Sequence, residues 1–138
     1  MAGPDTTNLG FLLAKASQRW NERLAEGFAA AGFADVRPSY GSVLLPLWER
    51  DDLRMGQLAE RARLSKQTMT TLVRLCERDG LVERAPDPQD GRATVVSLTA
   101  RAKRFRPLAA RVIAGLEQEV STRARRDLER ALKEVIDL

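Results

Sequence analysis

The sequence predicts a mainly α-helical chain with one small β-hairpin. Three observations predict it. Apolar residues recur at helical spacing near both ends of the chain, Ser65 and Gly80 bracket an amphipathic segment between them, and two short β-prone runs flank a stretch dense in turn residues.

Leu9 to about Ala31 reads as a long helix. Leu9, Leu13, Ala16, Trp20, Leu24 and Phe28 form a single apolar stripe, and Gly32 supplies a stop. Pro38 suits the first position of a second helix, Ser39–Glu49, because Arg37 before it is held extended. Pro46 conflicts with that helix and implies either a kink or a later start. Asp51-Asp52 reads as a polar break. A short helix follows from Gly56 to Arg63, with Gly56 as a weak N-cap. Ser65 caps the next helix, Lys66–Asp79, and Gly80 is its C′ residue. Leu81–Ala85 and Thr94–Leu98 read as strands joined by Pro86-Asp-Pro-Gln-Asp-Gly-Arg92. Thr99 caps a long helix striped by Phe105, Leu108, Val112, Leu116 and Val120, with a kink or late start implied at Pro107. Thr122 caps the last helix, where Leu128, Leu132, Val135 and Ile136 share a face. Two helices joined by a tight turn and followed by a hairpin make a winged helix-turn-helix, here with further helices on both sides.

A length of 138 residues fits one domain and lets folding bury roughly two thirds of the unfolded surface without disulfides. With 43% apolar and 30% charged residues, the balance is that of an ordinary globular protein. The net charge of +4 lies wholly in residues 99–138, and residues 1–50 and 51–98 are each neutral. Charge permits an acidic partner without locating it. The chain holds no histidine, which removes Ser-His-Asp and Cys-His nucleophilic sites and the usual zinc sites. Its single cysteine, Cys76, forms no internal disulfide and suits a reducing cytoplasm. Met1–Asn8 lacks the charge and apolar core of a secretory signal, and the longest apolar run, Val43–Trp48, is too short to span a membrane. Neither an enzyme nor a cofactor is expected.

On a 100° wheel, Met69, Leu72, Val73, Leu75 and Cys76 share one face of the Ser65 helix, and Gln67, Thr70, Thr71, Arg74 and Arg78 lie opposite. Amide, hydroxyl and guanidinium groups read base edges in a major groove. The helix start, with Ser65, Lys66 and Thr68, offers free N–H groups to a phosphate. Carboxylates enter only in the last turn, at Glu77 and Asp79. In the hairpin, Asp90 is placed to support Arg92, and an arginine there can enter a narrow minor groove.

Leu58-Ala-Glu-Arg-Ala, Leu64-Ser-Lys-Gln-Thr-Met-Thr, Glu77-Arg-Asp-Gly-Leu-Val-Glu-Arg, Pro86-Asp-Pro-Gln-Asp-Gly-Arg and Val96-Ser-Leu-Thr resemble, in one register, the core of the MarR-type winged-helix regulators. The resemblance implies a cytoplasmic homodimer on a pseudo-palindromic operator in double-stranded DNA. It divides the single domain of residues 1–138 into a DNA-binding region, 37–98, and dimerisation helices, 9–31 and 99–138. Ser65, Lys66, Gln67, Thr68, Thr70, Thr71 and Arg74 become the recognition segment, Arg92 the wing-tip arginine and Asp90 its support. Many such regulators are repressors released by small aromatic or phenolic ligands, for which Tyr40, Trp20 and Trp48 are the candidates. Tyr40 leads them, because its hydroxyl sits at a helix start near the expected cleft, while Trp20 and Phe28 lie on a regular stripe that suits a dimer core. Cys76 reads as an inert small hydrophobe.

Three positions depart from the pattern. Arg63 stands where the inter-helix turn commonly has glycine, at a cost of about 1 kcal/mol if left-handed, which a phosphate contact would offset. Ala102 replaces another glycine, and Pro107 is unusual. The neutral charge of residues 51–98 together with Arg63 motivates an alternative, a winged-helix protein-interaction module without DNA binding.

Overall fold

The computed structural model describes residues 3–138, so Met1 and Ala2, which open the segment read against a signal peptide, lie outside the described residues. Helix α1 spans Leu9–Ala30. Asn8 Oδ1 accepts the Phe11 N–H at 3.0 Å and satisfies a first-turn donor. Gly32, at φ +92°, ends the helix while the Phe33 N–H donates back to the Phe28 carbonyl at 2.8 Å.

A 3-10 turn, Pro38–Tyr40, leads directly into α2, Gly41–Glu49. The α-helical part thus starts two residues later than Ser39. Pro46 lies inside α2 without ending it. Its ring removes one backbone bond, and the burial of Val43, Leu44 and Leu47 offsets that loss.

Asp51-Asp52 is more than a polar break, because it turns the chain into a third strand, β1, Leu53–Arg54. Asp52 sits at φ +59°, and Asp51 Oδ1 accepts the Leu98 N–H at 2.9 Å. Helix α3, Met55–Ala62, follows at once. Its cap is therefore Arg54 rather than Gly56: strand pairing holds Arg54 extended, and its N–H donates to Gln57 Oε1 at 2.9 Å.

Helix α4 spans Lys66–Arg78, with β2, Val82–Pro86, and β3, Thr94–Leu98, after it. Gly80, at φ +75°, closes α4 as the Leu81 N–H donates to the Cys76 carbonyl at 2.9 Å. The sheet is antiparallel in the order β1-β3-β2, with registers Leu53↔Val96 and Val82↔Leu98.

Helix α5, Ala100–Gln118, begins where Thr99 Oγ1 accepts the Ala102 N–H at 3.2 Å. It continues through Pro107 with neither a late start nor a break, fastened by buried Phe105 and Ala109. The last helix, α6, spans Thr122–Ile136 and is capped by Ser121 rather than Thr122, since Ser121 Oγ accepts the Ala124 N–H at 3.2 Å.

The core runs from α1 through α2 and the α3–α4 pair to the sheet and α5. Phe105 is its aromatic hub, with Phe28 edge-on at 5.0 Å, Phe33 at 4.8 Å and Trp48 at 6.0 Å between ring centroids. Phe28 therefore belongs to the chain's own core and not to a dimer seam. Trp20 is half-buried against the same cluster. Helix α6 buries none of its residues. Among the described residues, no helix is long and apolar enough to cross a membrane.

Candidate nucleic-acid interface

The α4 faces divide as the wheel implied. Met69, Val73 and Cys76 are buried, and Lys66, Gln67, Thr71 and Arg74 are exposed. Ser65 holds the start: its Oγ accepts the Thr68 N–H at 3.1 Å and donates to Thr68 Oγ1 at 2.9 Å. The hydroxyls of Thr70 and Thr71 donate to the Lys66 and Gln67 carbonyls, at 2.8 and 3.1 Å. Both hydroxyl protons are thus committed to the helix backbone, which leaves acceptor lone pairs and methyl groups for a partner. Among the described residues, Lys66 and Arg74 make no ion pair, so their charge is available.

The carboxylates of the last turn are neutralised in place. Glu77 takes a bidentate pair from Arg84 of β2 at 3.0–3.2 Å, and this guanidinium holds its carboxyl below the usual range. Asp79 accepts from Arg78 at 3.1 Å and from Tyr40 Oη at 2.6 Å, and both lower its pKa, Arg78 foremost. Burial, then Asp79, pushes the Tyr40 hydroxyl up to about 12. Burial also pushes the Cys76 thiol up to about 12, in keeping with an inert hydrophobe.

The β2–β3 turn presents Arg92 with its side chain 95% exposed. Asp90 supports it as expected, accepting the Arg92 N–H at 3.1 Å and Nε at 3.4 Å. The anchor of the turn is a residue to which sequence reasoning assigned no role. Asp87, only 8% exposed, pairs with Arg54 of β1 at 2.7 Å and accepts the Gln89 N–H at 2.9 Å. The Asp-Pro-Gln run carried a signal, since aspartate favours such local backbone bonds. Its partner Arg54 was illegible without β1.

Arg63 adopts the left-handed conformation, φ +56°, ψ +40°. In the free chain its guanidinium donates to the Ile136 carbonyl at 3.1 Å and lies 3.6 Å from the Asp137 carboxylate, so it sits at the negative end of α6. That is another contact that spacing alone does not reveal.

An apolar crevice of about 80 Å³ lies between α1, α2 and α5, lined by Leu24, Val36, Arg37, Leu44, Trp48 and Ile113 among others. The buried Trp48 Nε1 donates to nothing among the described residues. Trp48 is the one of the three aromatic candidates that lines the crevice. Tyr40 is buried with its hydroxyl on Asp79, and Trp20 packs on the core without lining the crevice.

A helix-turn-helix with a supported wing and helical arms on both sides defines a winged-helix architecture. Residues 27–93 match the MarR family. An uncharacterised helix-turn-helix transcriptional regulator of Bacillus subtilis is 28% identical over 99 residues, which is 71% of this chain and 67% of that protein. The PcaV transcriptional regulator of Streptomyces coelicolor, solved in complex with its natural ligand, superposes with TM-score 0.81 at 23% identity over 99% of this chain and 98% of that one. A mutant MarR from E. coli complexed with operator DNA superposes with TM-score 0.76 at 21% identity over 92% of each chain. The chain thus resembles the MarR-type winged-helix regulators, through the family match of residues 27–93 and through a fold shared over nearly the whole chain.

Proposed function

We propose that the chain is a cytoplasmic homodimeric repressor that binds a pseudo-palindromic operator and leaves it when a small aromatic or phenolic ligand binds. Gln67, Thr70, Thr71 and Arg74 face base edges in the major groove. Ser65, Lys66 and Thr68 set the helix start against the phosphate backbone. Arg92, steadied by Asp90, enters the minor groove. Arg63 reaches a phosphate after leaving α6. Residues 37–98 are the DNA-binding region of a single domain, 1–138, and residues 9–31 and 99–138 are its dimerisation helices.

The observation that carries this reading is the charge pattern of α4. Lys66 and Arg74 are unpaired on the outer face, while Glu77 and Asp79 are each held by an arginine. A phosphate-facing surface needs that asymmetry. The homodimer is supported by exposed Leu128, Leu132 and Ile136 on α6 and by exposed Leu9, Phe11 and Leu12 at the start of α1. Apolar side chains grouped this way ordinarily meet a partner. Operator DNA on one neighbour and a natural ligand on another fit the same scheme. In the crevice, Trp48 Nε1 is a spare donor for a ligand oxygen.

A gel shift at physiological salt, using genomic fragments around the chain's own locus, tests DNA binding. A specific shift is expected, and its absence with every fragment overturns the reading. Sedimentation at micromolar concentration should give a dimer that Leu132→Glu weakens, and a wild-type monomer refutes that part. Single-ring phenols and benzoates should release the bound fragment. If none does, ligand relief falls.

A further inference from the structure

A set of polar residues outside the proposed DNA-reading face meets at the far end of α4. Arg101, in the first turn of α5, donates to both Asp35 carboxylate oxygens, at 3.0 and 2.7 Å. The same guanidinium donates to the Asp79 backbone carbonyl at 2.5 Å and lies over the Phe33 ring, 5.1 Å from its centroid. Tyr40, fully buried, donates its hydroxyl to the Asp79 carboxylate at 2.6 Å. The α5 arm, braced by Asp35 of the linker after α1, and the 3-10 turn thus converge on one residue, the C-cap of α4.

A helix gripped at one end reads DNA with the other, and leverage makes the grip matter. Helix α4 has 13 residues, so at 1.5 Å per residue it is about 20 Å long. A tilt of roughly 10° about Asp79 would then move its first turn by about 3 Å, beyond what a bidentate base contact tolerates. Neutralising Asp79 required only Arg78, its sequence neighbour. The additional bonds from Arg101 and Tyr40 come from other elements and fix direction rather than charge.

We propose that Arg101 and Tyr40 are positioning residues for DNA recognition, setting the tilt of α4 against α5 through Asp79. The proposal rests on the DNA-binding reading and adds to it residues that touch no DNA. Their removal would leave the phosphate-contacting charges intact and blur base reading.

The test compares Tyr40→Phe and Arg101→Lys with the unaltered full-length chain, using a duplex that the latter enriches from a random-sequence library. Each substitution should weaken binding to that duplex about tenfold, the worth of one hydrogen bond to a charged group. Affinity for sheared bulk DNA and the salt slope should not change. Spin labels at Gln67→Cys and Ala110→Cys, on chains diluted in unlabelled protein, read the α4–α5 geometry directly. Cys76 is buried and stays unlabelled. The distance distribution should broaden in both variants while the melting temperature moves by no more than about 4 °C. An unchanged distribution, or equal loss on enriched and bulk DNA, overturns the proposal. If the unaltered chain enriches no duplex, the DNA-binding reading fails instead, and the distance distribution still decides whether these residues set the tilt.

Discussion

Gly27 lies in α1 against α5, and replacing it with alanine makes two physical terms compete. Alanine is favoured over glycine inside a helix by about 0.5–1 kcal/mol. Yet a Cβ at Gly27 would lie 2.5 Å from Val112 Cγ1 and 3.4 Å from Cγ2. Valine in a helix holds one χ1 rotamer about 90% of the time, so Val112 does not swing aside cheaply. Overpacking of this kind costs about 1–3 kcal/mol. Gly27→Ala alone should therefore destabilise the protein, by about 1 kcal/mol net. In a Val112→Ala background both Cγ atoms are gone, and the same substitution should stabilise by about 0.5–1 kcal/mol. The coupling between the two sites is then about 2 kcal/mol. Urea unfolding of the four proteins, followed by circular dichroism at one fixed protein concentration, measures it. If Gly27→Ala stabilises equally in both backgrounds, the helices are not packed backbone to side chain at this point and the reasoning fails.

Further predictions concern the reading surface and its supports. Arg92→Ala should weaken operator binding most on A·T-rich flanks, measured by titration against flank variants, and equal loss on every flank counts against minor-groove entry. Arg74→Ala should cost about 1–3 kcal/mol on the preferred site and relax one base preference, which selection from randomised duplexes would reveal. Asp87→Ala removes the Arg54 pair and the Gln89 acceptor together. It should lower stability by about 2 kcal/mol and hasten amide exchange in the β2–β3 turn, and unaltered exchange would show that the wing has another anchor. Asp35, Glu77 and Asp79 all have folded pKa values below their ordinary values of 3.8 and 4.5, through Arg101, Arg84 and Arg78 respectively. Depressed carboxylates contribute stability that is present above those ordinary values and is lost as pH falls through the folded ones. Acid unfolding should therefore steepen below pH 3.8–4.5, and Glu77→Gln should flatten part of that slope.

Much of the site was legible because it is local. Ser65 precedes α4 by one residue, and a serine there bonds the N–H three residues on wherever the helix goes. Arg63 stands where the resembled family commonly has glycine in the inter-helix turn, which points to a left-handed backbone, and φ is +56°. The Asp90–Arg92 support spans two residues and follows from turn chemistry. Pro46 and Pro107 were harder to place for the opposite reason: α2 does start two residues later than Ser39, whereas α5 begins at Ala100 without delay. Each is a local penalty of the kind that burial of its neighbours outweighs, and that burial is not written in the local sequence.

The sequence by itself determined the order of helices and hairpin, the outward chemistry of α4 and the lack of any histidine for nucleophilic catalysis. Periodicity and capping act over a few residues, and composition needs no geometry at all. Tertiary structure decided which charges remain free. Glu77 is silenced by Arg84 seven residues away, Asp87 is held by Arg54 from a two-residue strand, and Arg63 is drawn to the end of α6. It also decided what aims α4, since Asp79, Arg101, Asp35 and Tyr40 meet across separations of up to 66 residues. Ion pairs and hydrogen bonds depend on distances of a few ångströms, and between residues so far apart in the chain only the packed core sets those distances.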